Sequence, residues 1–253
     1  MSADKIPEFL VVIPARLGSS RLPRKPLADI GGKPMVIRVA ERAKESNAKR
    51  VIVATDSSEI QAVCNEHGIE CLLTSADHPT GTDRIAEVAQ LLKLAGSALI
   101  VNVQGDEPLI PPALINQVAQ TLADHAQCAI STVAVPIIEK GEIENPNVVK
   151  VVLNQANEAM YFSRSVIPFL RDAQVTQKTE YLRHLGIYAY RADFLQAYTK
   201  LEPAPSEQAE ALEQLRALWN GYRIAVHIAL ETPPAGVDTP EDLERVRQLL
   251  GTK

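Results

Sequence analysis

The chain has 253 residues, of which 46% are hydrophobic and 23% are charged, and its formal net charge is −5 at pH 7. This length allows a sizeable buried core, and the composition is ordinary for a globular enzyme. No apolar run approaches the ~18 residues that a membrane helix needs, and the N-terminus lacks the apolar core of a signal peptide, so we expect a cytoplasmic protein without membrane insertion. Three cysteines at unmatched spacings exclude a disulfide framework.

The first predicted strand leads into a loop of small and cationic residues. Five consecutive apolar residues, 9–13, predict a strand that is buried on both faces and that Pro14 ends. Open α/β sheets bind ligands at the carboxyl ends of their strands, which is where this loop lies. Exposed backbone N–H groups and fixed positive charges suit an anion with several oxygens. The residues that offer them are Arg16, Gly18, Ser19, Ser20, Arg21, Arg24 and Lys25.

The charge distribution agrees with a small anionic ligand. Between residues 15 and 40 there are six cationic residues and one acidic residue, so this segment carries +5 and the rest of the chain carries −10. Nucleic acid would need a broad basic face. We therefore expect no nucleic-acid partner.

Strands and helices alternate through the first half of the chain. Helices are predicted at 34–47 and 57–67 and from residue 81, and strands at 50–55, 69–73 and 98–103, a pattern typical of a parallel sheet with helices on both faces. Strands at 128–135, 148–153 and 184–190 then predict a smaller strand-rich lobe within about residues 129–191. A helix at 206–219, with Leu212, Leu215, Leu218 and Trp219 buried, a strand at 223–230 and a helix at 240–250 follow.

Two common nucleotide-binding signatures are absent. A Walker loop that starts at Gly18 would need glycine where Pro23 stands, and Lys25 is followed by Pro26. No GxGxxG follows the first strand, which argues against an NAD-linked dehydrogenase. Any phosphate would therefore be held mainly by long cationic side chains.

Two acidic motifs could hold a metal ion. Asp106, in QGDEP, follows the most apolar strand, and a carboxylate opposite a phosphate-binding loop most naturally holds Mg²⁺. The alternative is that the motif is only a turn that caps the next helix. In VDTPEDLE, Thr239 and Asp242 form a good helix cap, which leaves Asp238 available to the same metal site.

A looser group of polar residues lies in the second half of the chain. These residues could contact a ligand or could be structural, and their spacing does not decide between the two interpretations. They are Arg164, Arg183, His184, Tyr188, Glu213 and Gln214.

Seven segments together resemble one family. From about residue 9 to residue 248, in order, they are VVIPARLGSSRLPRKPL, GTDRIAEV, IVNVQGDEPLI, YFSRSVIPF, RHLGIYAY, LEQLRALWNG and GVDTPEDLERVR. The combination resembles the 3-deoxy-manno-octulosonate (Kdo) cytidylyltransferases. The first segment is shared with sialic acid cytidylyltransferases, whereas YFSR, RHLGIYAY and LEQLRALW point to Kdo.

The resemblance implies a fold, a reaction and a partner. The fold would be a Rossmann-like nucleotidyltransferase domain with a mostly parallel mixed sheet, spanning residues 1–253, whose strand-rich lobe forms a homodimer. The reaction would transfer CMP from CTP to the anomeric hydroxyl of Kdo, releasing pyrophosphate and giving the activated sugar CMP-Kdo for lipopolysaccharide biosynthesis.

The resemblance also implies site residues. Arg16 and Lys25 would hold the CTP phosphates, and Asp106 and Asp238 would bind Mg²⁺. Further nucleotide contacts would come from Ala15, Ser19, Arg21, Asp77, Gly81, Thr82 and Gln104. The sugar site would consist of Gln104, Arg164, His184, Tyr188, Glu213 and Gln214.

One residue departs from the family pattern. Arg24 stands where the family usually has glycine. If its φ is positive, the backbone is strained by about 1 to 2 kcal/mol; if φ is negative, the change adds a charge at the mouth of the site.

Two other functions remain open. The alternative functions are a cytidylyltransferase for 8-amino-Kdo or sialic acid, and a non-catalytic module that senses CTP.

Overall fold

A computed structural model of the chain describes residues 7–18, 22–171, 180–229 and 232–251, so the predictions for Ser19 and Arg21 lie outside the described residues. The strands are β1 Phe9–Ala15, β2 Asp29–Ile30, β3 Lys33–Pro34, β4 Arg50–Thr55, β5 Glu70–Leu73, β6 Leu99–Asn102, β7 Ile130–Pro136, β8 Lys150–Leu153, β9 Ala159–Ser163, β10 Leu182–Arg191 and β11 Ile224–Ile228. The helices are α1 Met35–Lys44, α2 Ser58–Glu66, α3 Gly81–Leu91, α4 Pro112–Asp124, α5 Lys140–Glu144, α6 Ala192–Tyr198, α7 Pro205–Glu210, α8 Gln214–Trp219 and α9 Pro240–Leu249.

The main sheet is mostly parallel, as predicted. Its central strand order is β11-β7-β10-β6-β1-β4-β5, and of these strands only β10 runs against the others. The carboxyl ends of the remaining six strands therefore lie along one edge, which is also where β10 begins. The loops that follow β1 and β6 meet at this edge.

Helices cover both faces of the sheet because alternate side chains of a strand point to opposite faces. In β1, Val11 and Ile13 belong to a core shared with α1, α2, α4 and α9. Val12, between them, belongs to the opposite core, shared with α3, α6 and α8. Burial on both faces explains why this strand is a continuous apolar run. Among the described residues, no helix is long and apolar enough to cross a membrane.

The reversed strand β10 is shared between two parts of the sheet. On one edge, Leu182 and Arg183 pair with β8, whereas residues 188–191 pair with β6. On the other edge β10 pairs with β7 along nearly its whole length. The pairing is irregular in the middle, because Leu185 lies opposite Val133 while Tyr188 lies opposite the adjacent Thr132. Residues 186–187 therefore form a bulge. The sheet opens at the centre of β10, between β6 and β8.

Two sequence predictions in this fold were wrong. Pro14 does not end β1, since it lies opposite Ala54 and the strand continues to Ala15. The helix predicted at 206–219 is instead α7 and α8, because Ala211 adopts a left-handed conformation with φ 50° and ψ 51°. The break leaves Trp219 65% exposed, whereas Leu215 is 1% exposed.

Candidate functional site

Lys25 connects three loops at the carboxyl edge of the sheet. Its Nζ donates hydrogen bonds to Asp106 Oδ2 at 2.6 Å, to the Val237 carbonyl at 3.0 Å and to Asp238 Oδ1 at 3.0 Å. Burial lowers the pKa of Lys25, but hydrogen bonds and charge interactions with the two carboxylates outweigh it, so the pKa is raised above its ordinary value. The ammonium group is therefore charged and held in place between Asp106 and Asp238.

The backbone around Asp106 is packed closely at two glycines. A Cβ on Gly105 would lie 2.9 Å from the Pro14 carbonyl oxygen, and a Cβ on Gly236 would lie 3.1 Å from the Asp106 carbonyl oxygen. The Val237 N–H donates to that same Asp106 oxygen at 2.8 Å. The segment before α9 is thus fixed directly to the end of the QGDEP turn, which brings Asp238 close to Asp106.

The predicted cap of α9 is confirmed. The Thr239 hydroxyl accepts from the Asp242 N–H, and the Asp242 carboxylate accepts from the Thr239 N–H, which is a reciprocal capping box. The Asp238 N–H also donates to Asp242 Oδ2 at 3.1 Å. Because Asp242 supplies the capping carboxylate, the Asp238 carboxylate is directed to Lys25.

The chemistry of this carboxylate pair fits Mg²⁺ with a phosphate ligand. Asp106 and Asp238 each place one oxygen within 3.0 Å of the same nitrogen. Within the described residues, no group of three or more His, Cys, Asp or Glu side chains could hold a metal ion. Mg²⁺ is usually bound by one or two carboxylates together with substrate phosphates and water, so two aspartates suffice when a phosphate is present.

Three cavities surround this edge. The central cavity, about 420 Å³, is lined by residues of α3, β6, β10 and α8, including Thr82, Tyr188 and Glu213. The carboxylate cavity, about 340 Å³, contains Asp106 and Asp238. The small cavity, about 160 Å³, contains Ala15 and Arg16.

The central cavity adjoins both of the others. It shares Gly81 and Gln104 with the small cavity, and it shares Arg183, His184 and Gly186 with the carboxylate cavity. A molecule in the central cavity can therefore meet groups bound on either side.

Polar atoms in the wall of the central cavity have no protein partner. Asn102, Tyr198 and Gln214 are 3%, 2% and 8% exposed, and their Oδ1, OH and Nε2 atoms are the buried side-chain atoms without a hydrogen bond in the described part of the chain. All three residues line this cavity. A buried polar group without a partner costs about 1 to 3 kcal/mol, so the cavity is suited to a ligand with hydroxyl groups.

Glu213 lies at the start of α8 and faces the same cavity. Its Oε2 accepts a hydrogen bond from the Thr82 hydroxyl at 3.2 Å. Burial raises the pKa of Glu213, an effect that the Thr82 hydrogen bond partly offsets. In the carboxylate cavity, burial and the neighbouring Asp106 raise the pKa of Glu107 to about 7.

The structure brings most of the predicted site residues together. The central cavity contains five of the six predicted sugar-site residues and three predicted nucleotide contacts, with Gln104 in both sets, and the small cavity contains four predicted nucleotide contacts. In the central cavity these are Gln104, His184, Tyr188, Glu213 and Gln214 with Gly81 and Thr82; in the small cavity they are Ala15, Arg16, Gly81 and Gln104.

Two predicted residues are placed elsewhere. Asp77 is exposed and lies beside Ser75, and it is not among the described residues that line these cavities. The Arg164 guanidinium donates to the carbonyls of Glu210 at 2.6 Å and Pro146 at 3.0 Å. Arg183 lines the central cavity, whereas Arg164 does not.

Arg24 has the strained conformation that was one of the two alternatives for this position. Its φ is 58° and its ψ is 28°, in the left-handed region, which side chains with a Cβ adopt at a cost. Its guanidinium forms an exposed ion pair with Glu59. The Arg24 side chain thus points to α2 from a backbone position that suits glycine.

Comparisons with known proteins identify the family. Residues 10–224 match the family model described as Cytidylyltransferase. A 3-deoxy-manno-octulosonate cytidylyltransferase of Polynucleobacter necessarius subsp. necessarius is 81% identical over 251 residues, covering 99% of each chain. The chain belongs to the 3-deoxy-manno-octulosonate cytidylyltransferase family. A family member from Polynucleobacter asymbioticus is 80% identical over 250 residues, covering 99% of this chain and 98% of the relative.

Solved structures agree with this membership. The structure of CMP:2-keto-3-deoxy-manno-octonic acid synthetase in complex with CTP has a TM-score of 0.89 and 42% identity, covering 96% of this chain and 98% of that one. A cytidylyltransferase from Leptospira borgpetersenii serovar Hardjo-bovis has a TM-score of 0.60 and 16% identity, covering 95% of this chain and 85% of that one. The second structure supports the cytidylyltransferase fold alone.

The strain at Arg24 predicts a difference between two variants. Arg24→Gly and Arg24→Ala both lose the ion pair with Glu59, but only glycine adopts a positive φ without a steric cost. We expect Arg24→Gly to have a free energy of unfolding about 1 kcal/mol higher than that of Arg24→Ala, measured by urea denaturation. Equal stability of the two variants would show that the loop relaxes and stores no strain.

Proposed function

We propose that the chain transfers CMP from CTP to the anomeric hydroxyl of Kdo, giving CMP-Kdo and pyrophosphate for lipopolysaccharide biosynthesis. The observation that carries this proposal is the set of unpartnered buried atoms of Asn102, Tyr198 and Gln214 in the central cavity. A polyhydroxylated sugar acid offers donors and acceptors for all three. The names of the relatives and the CTP complex of a 42% identical structure support the same reaction.

The proposal places the two substrates in adjoining cavities. The nucleotide would lie by the small cavity, where Arg16 supplies positive charge, with its phosphates near the β1 loop and Lys25, which Asp106 and Asp238 hold in place. The sugar acid would lie in the central cavity, and Gln104 lines both. Arg183, at the border with the carboxylate cavity, donates from Nη1 to Glu142 at 2.9 Å, and its remaining guanidinium N–H groups would serve the sugar carboxylate.

The reaction needs positioned oxygens more than a strong side-chain base. The anomeric oxygen bonds to the α-phosphorus as the bond from that phosphorus to pyrophosphate breaks, and the hydroxyl proton passes to water. Such phosphoryl chemistry is catalysed mainly by alignment and by neutralising the charge on phosphate oxygens. Arg16 and Lys25 act on that charge, while the wall of the central cavity aligns the sugar.

We also propose that Asp106 and Asp238 hold Mg²⁺. When bound, the ion would neutralise charge on the triphosphate and so favour departure of pyrophosphate. Two carboxylates around one ammonium leave an excess negative charge at this position. That excess favours a divalent cation, and phosphate oxygens would complete its ligands.

A homodimer and a cytoplasmic location complete the proposal. Large apolar side chains in the strand-rich lobe of this single domain are exposed: Ile138 by 89%, Phe169 by 83% and Met160 by 62%. An exposed apolar surface of this kind supports association of two chains through the lobe, which sedimentation velocity would test. The use of CTP supports the cytoplasmic location, which fractionation of cells would test.

The reaction itself is tested by pyrophosphate release. The purified chain is incubated with CTP, Mg²⁺ and one of Kdo, 8-amino-Kdo or sialic acid, and the sugar nucleotide is identified by mass spectrometry. We expect the largest kcat/KM with Kdo. Preference for another acid would change the substrate assignment, and tight CTP binding without turnover of any acid would support a CTP-sensing module instead.

The metal proposal predicts the behaviour of Asp106→Asn. This variant should lose at least about 100-fold in kcat, which is typical of removing one strong electrostatic contribution from an active site. Its free energy of unfolding should fall by no more than about 1 kcal/mol, because the carboxylate is partly exposed and Asp238 still pairs with Lys25. Asp124→Asn, an exposed change at the end of α4, is the charge-matched control. Mg²⁺-dependent turnover at the wild-type rate in Asp106→Asn would remove this residue from the metal site.

Removal of the unpartnered Tyr198 hydroxyl should stabilise the fold and weaken binding of the sugar acid. Tyr198→Phe removes a buried hydroxyl that has no partner, so the free energy of unfolding without ligand should rise by up to about 1 kcal/mol. The KM for the sugar acid should rise about tenfold while the KM for CTP stays constant. Tyr222→Phe, at a separate cavity, should leave both KM values unchanged. A destabilised Tyr198→Phe with an unchanged sugar KM would contradict a role of this hydroxyl in binding.

A further inference from the structure

Thr132 on β7 contacts the bulge of β10 with a single hydroxyl. The residue is 0% exposed, and its Oγ1 lies 2.7 Å from the Ile187 carbonyl oxygen, 3.1 Å from the Leu185 carbonyl oxygen and 2.9 Å from His184 Nε2. All three partners belong to the irregular part of β10, where the pairing with β7 shifts. One side chain therefore joins the carbonyls of Leu185 and Ile187, at the bulge, and the imidazole ring.

The chemistry of these groups determines the direction of the hydrogen bonds. A hydroxyl has one proton, and a carbonyl oxygen can only accept. If the Thr132 hydroxyl donates to the bulge carbonyls, its oxygen accepts from the imidazole, so the proton of the ring lies on Nε2. Burial holds the pKa of His184 at about 3, so the ring is neutral and Nδ1 carries a lone pair.

The His184 ring lies at the border of the central cavity and the carboxylate cavity. His184 lines both the central cavity and the carboxylate cavity, together with Arg183 and Gly186. The ring packs edge-on against Phe162, with centroids 4.8 Å apart. It also packs at a tilt against Tyr188, with centroids 5.4 Å apart. Packing thus limits the orientation of the ring, and Thr132 determines which nitrogen carries the proton.

We propose that Thr132 is a positioning residue, which holds the β10 bulge and the Nε2–H tautomer of His184 so that Nδ1 accepts a hydrogen bond from a sugar hydroxyl. The inference rests on the proposed function, because the sugar acid must meet the triphosphate at this border. A neutral acceptor suits the task, since a ring with so low a pKa orients a hydroxyl rather than removing its proton.

The test compares two substitutions of Thr132. Thr132→Ser keeps the hydroxyl, whereas Thr132→Val keeps the shape and removes it. We expect Thr132→Val to lower kcat with Kdo about tenfold or more, the effect of about one hydrogen bond, with the KM for CTP unchanged. Thr132→Ser should retain kcat within about threefold. Equal losses in the two variants, or a loss that appears only in the KM for CTP, would overturn the proposal.

A second measurement does not depend on activity, and its wild-type part does not depend on any variant. Nitrogen-15 chemical shifts of the His184 ring in the ligand-free wild-type chain should show the Nε2–H tautomer, and those of Thr132→Val should show a mixture of tautomers. A wild-type ring protonated on Nδ1 would overturn the proposal even if Thr132→Val does not fold. Wild-type turnover of CTP and Kdo is measured first, so that failure of the proposed reaction is seen separately from failure of the positioning role.

Discussion

The direction of β10 is the constraint on which the site depends. In a sheet whose other central strands run the same way, β10 starts at the edge where those strands end. Side chains from its first residues therefore reach the loops after β1 and β6. Because β8 and β6 pair with different parts of β10, the sheet parts between them, and the central cavity occupies the opening. A strand inserted parallel to the others would have placed these side chains at the opposite edge.

Charge holds the second half of the site together. The Lys25 ammonium connects the β1 loop to Asp106 and to the segment before α9, so one side chain joins three elements that are far apart in sequence. The same ammonium balances only part of the negative charge of the two carboxylates. Negative charge is thus concentrated at this pair of carboxylates, while the neighbouring β1 loop is rich in cationic residues.

Local sequence signals predicted the helices and strands better than they predicted the residues that line the central cavity. Continuous apolar runs located β1 and β4, and the Thr239 cap located α9. Helix α4 was not predicted, although Leu114, Ile115, Val118 and Leu122 have helical spacing and Pro112 suits a first turn. Five of the six residues that the family resemblance implied for the sugar site line the central cavity, but the resemblance did not include Asn102 or Tyr198, because β6 and α6 meet only through the tertiary fold. The break at Ala211 had no local signal, since alanine ordinarily favours a continuous helix.

Several features that lower stability lie at or beside the proposed site. Arg24 occupies a left-handed conformation, and the central cavity contains buried polar atoms without partners. A sequence selected for stability alone would replace both, because glycine relieves the first and apolar side chains relieve the second. A ligand that forms hydrogen bonds with these atoms would recover free energy that folding leaves unused. The strain at Arg24 differs from these polar atoms, because it is present whether or not a ligand is bound. Only a contact made by the Arg24 side chain could offset that strain.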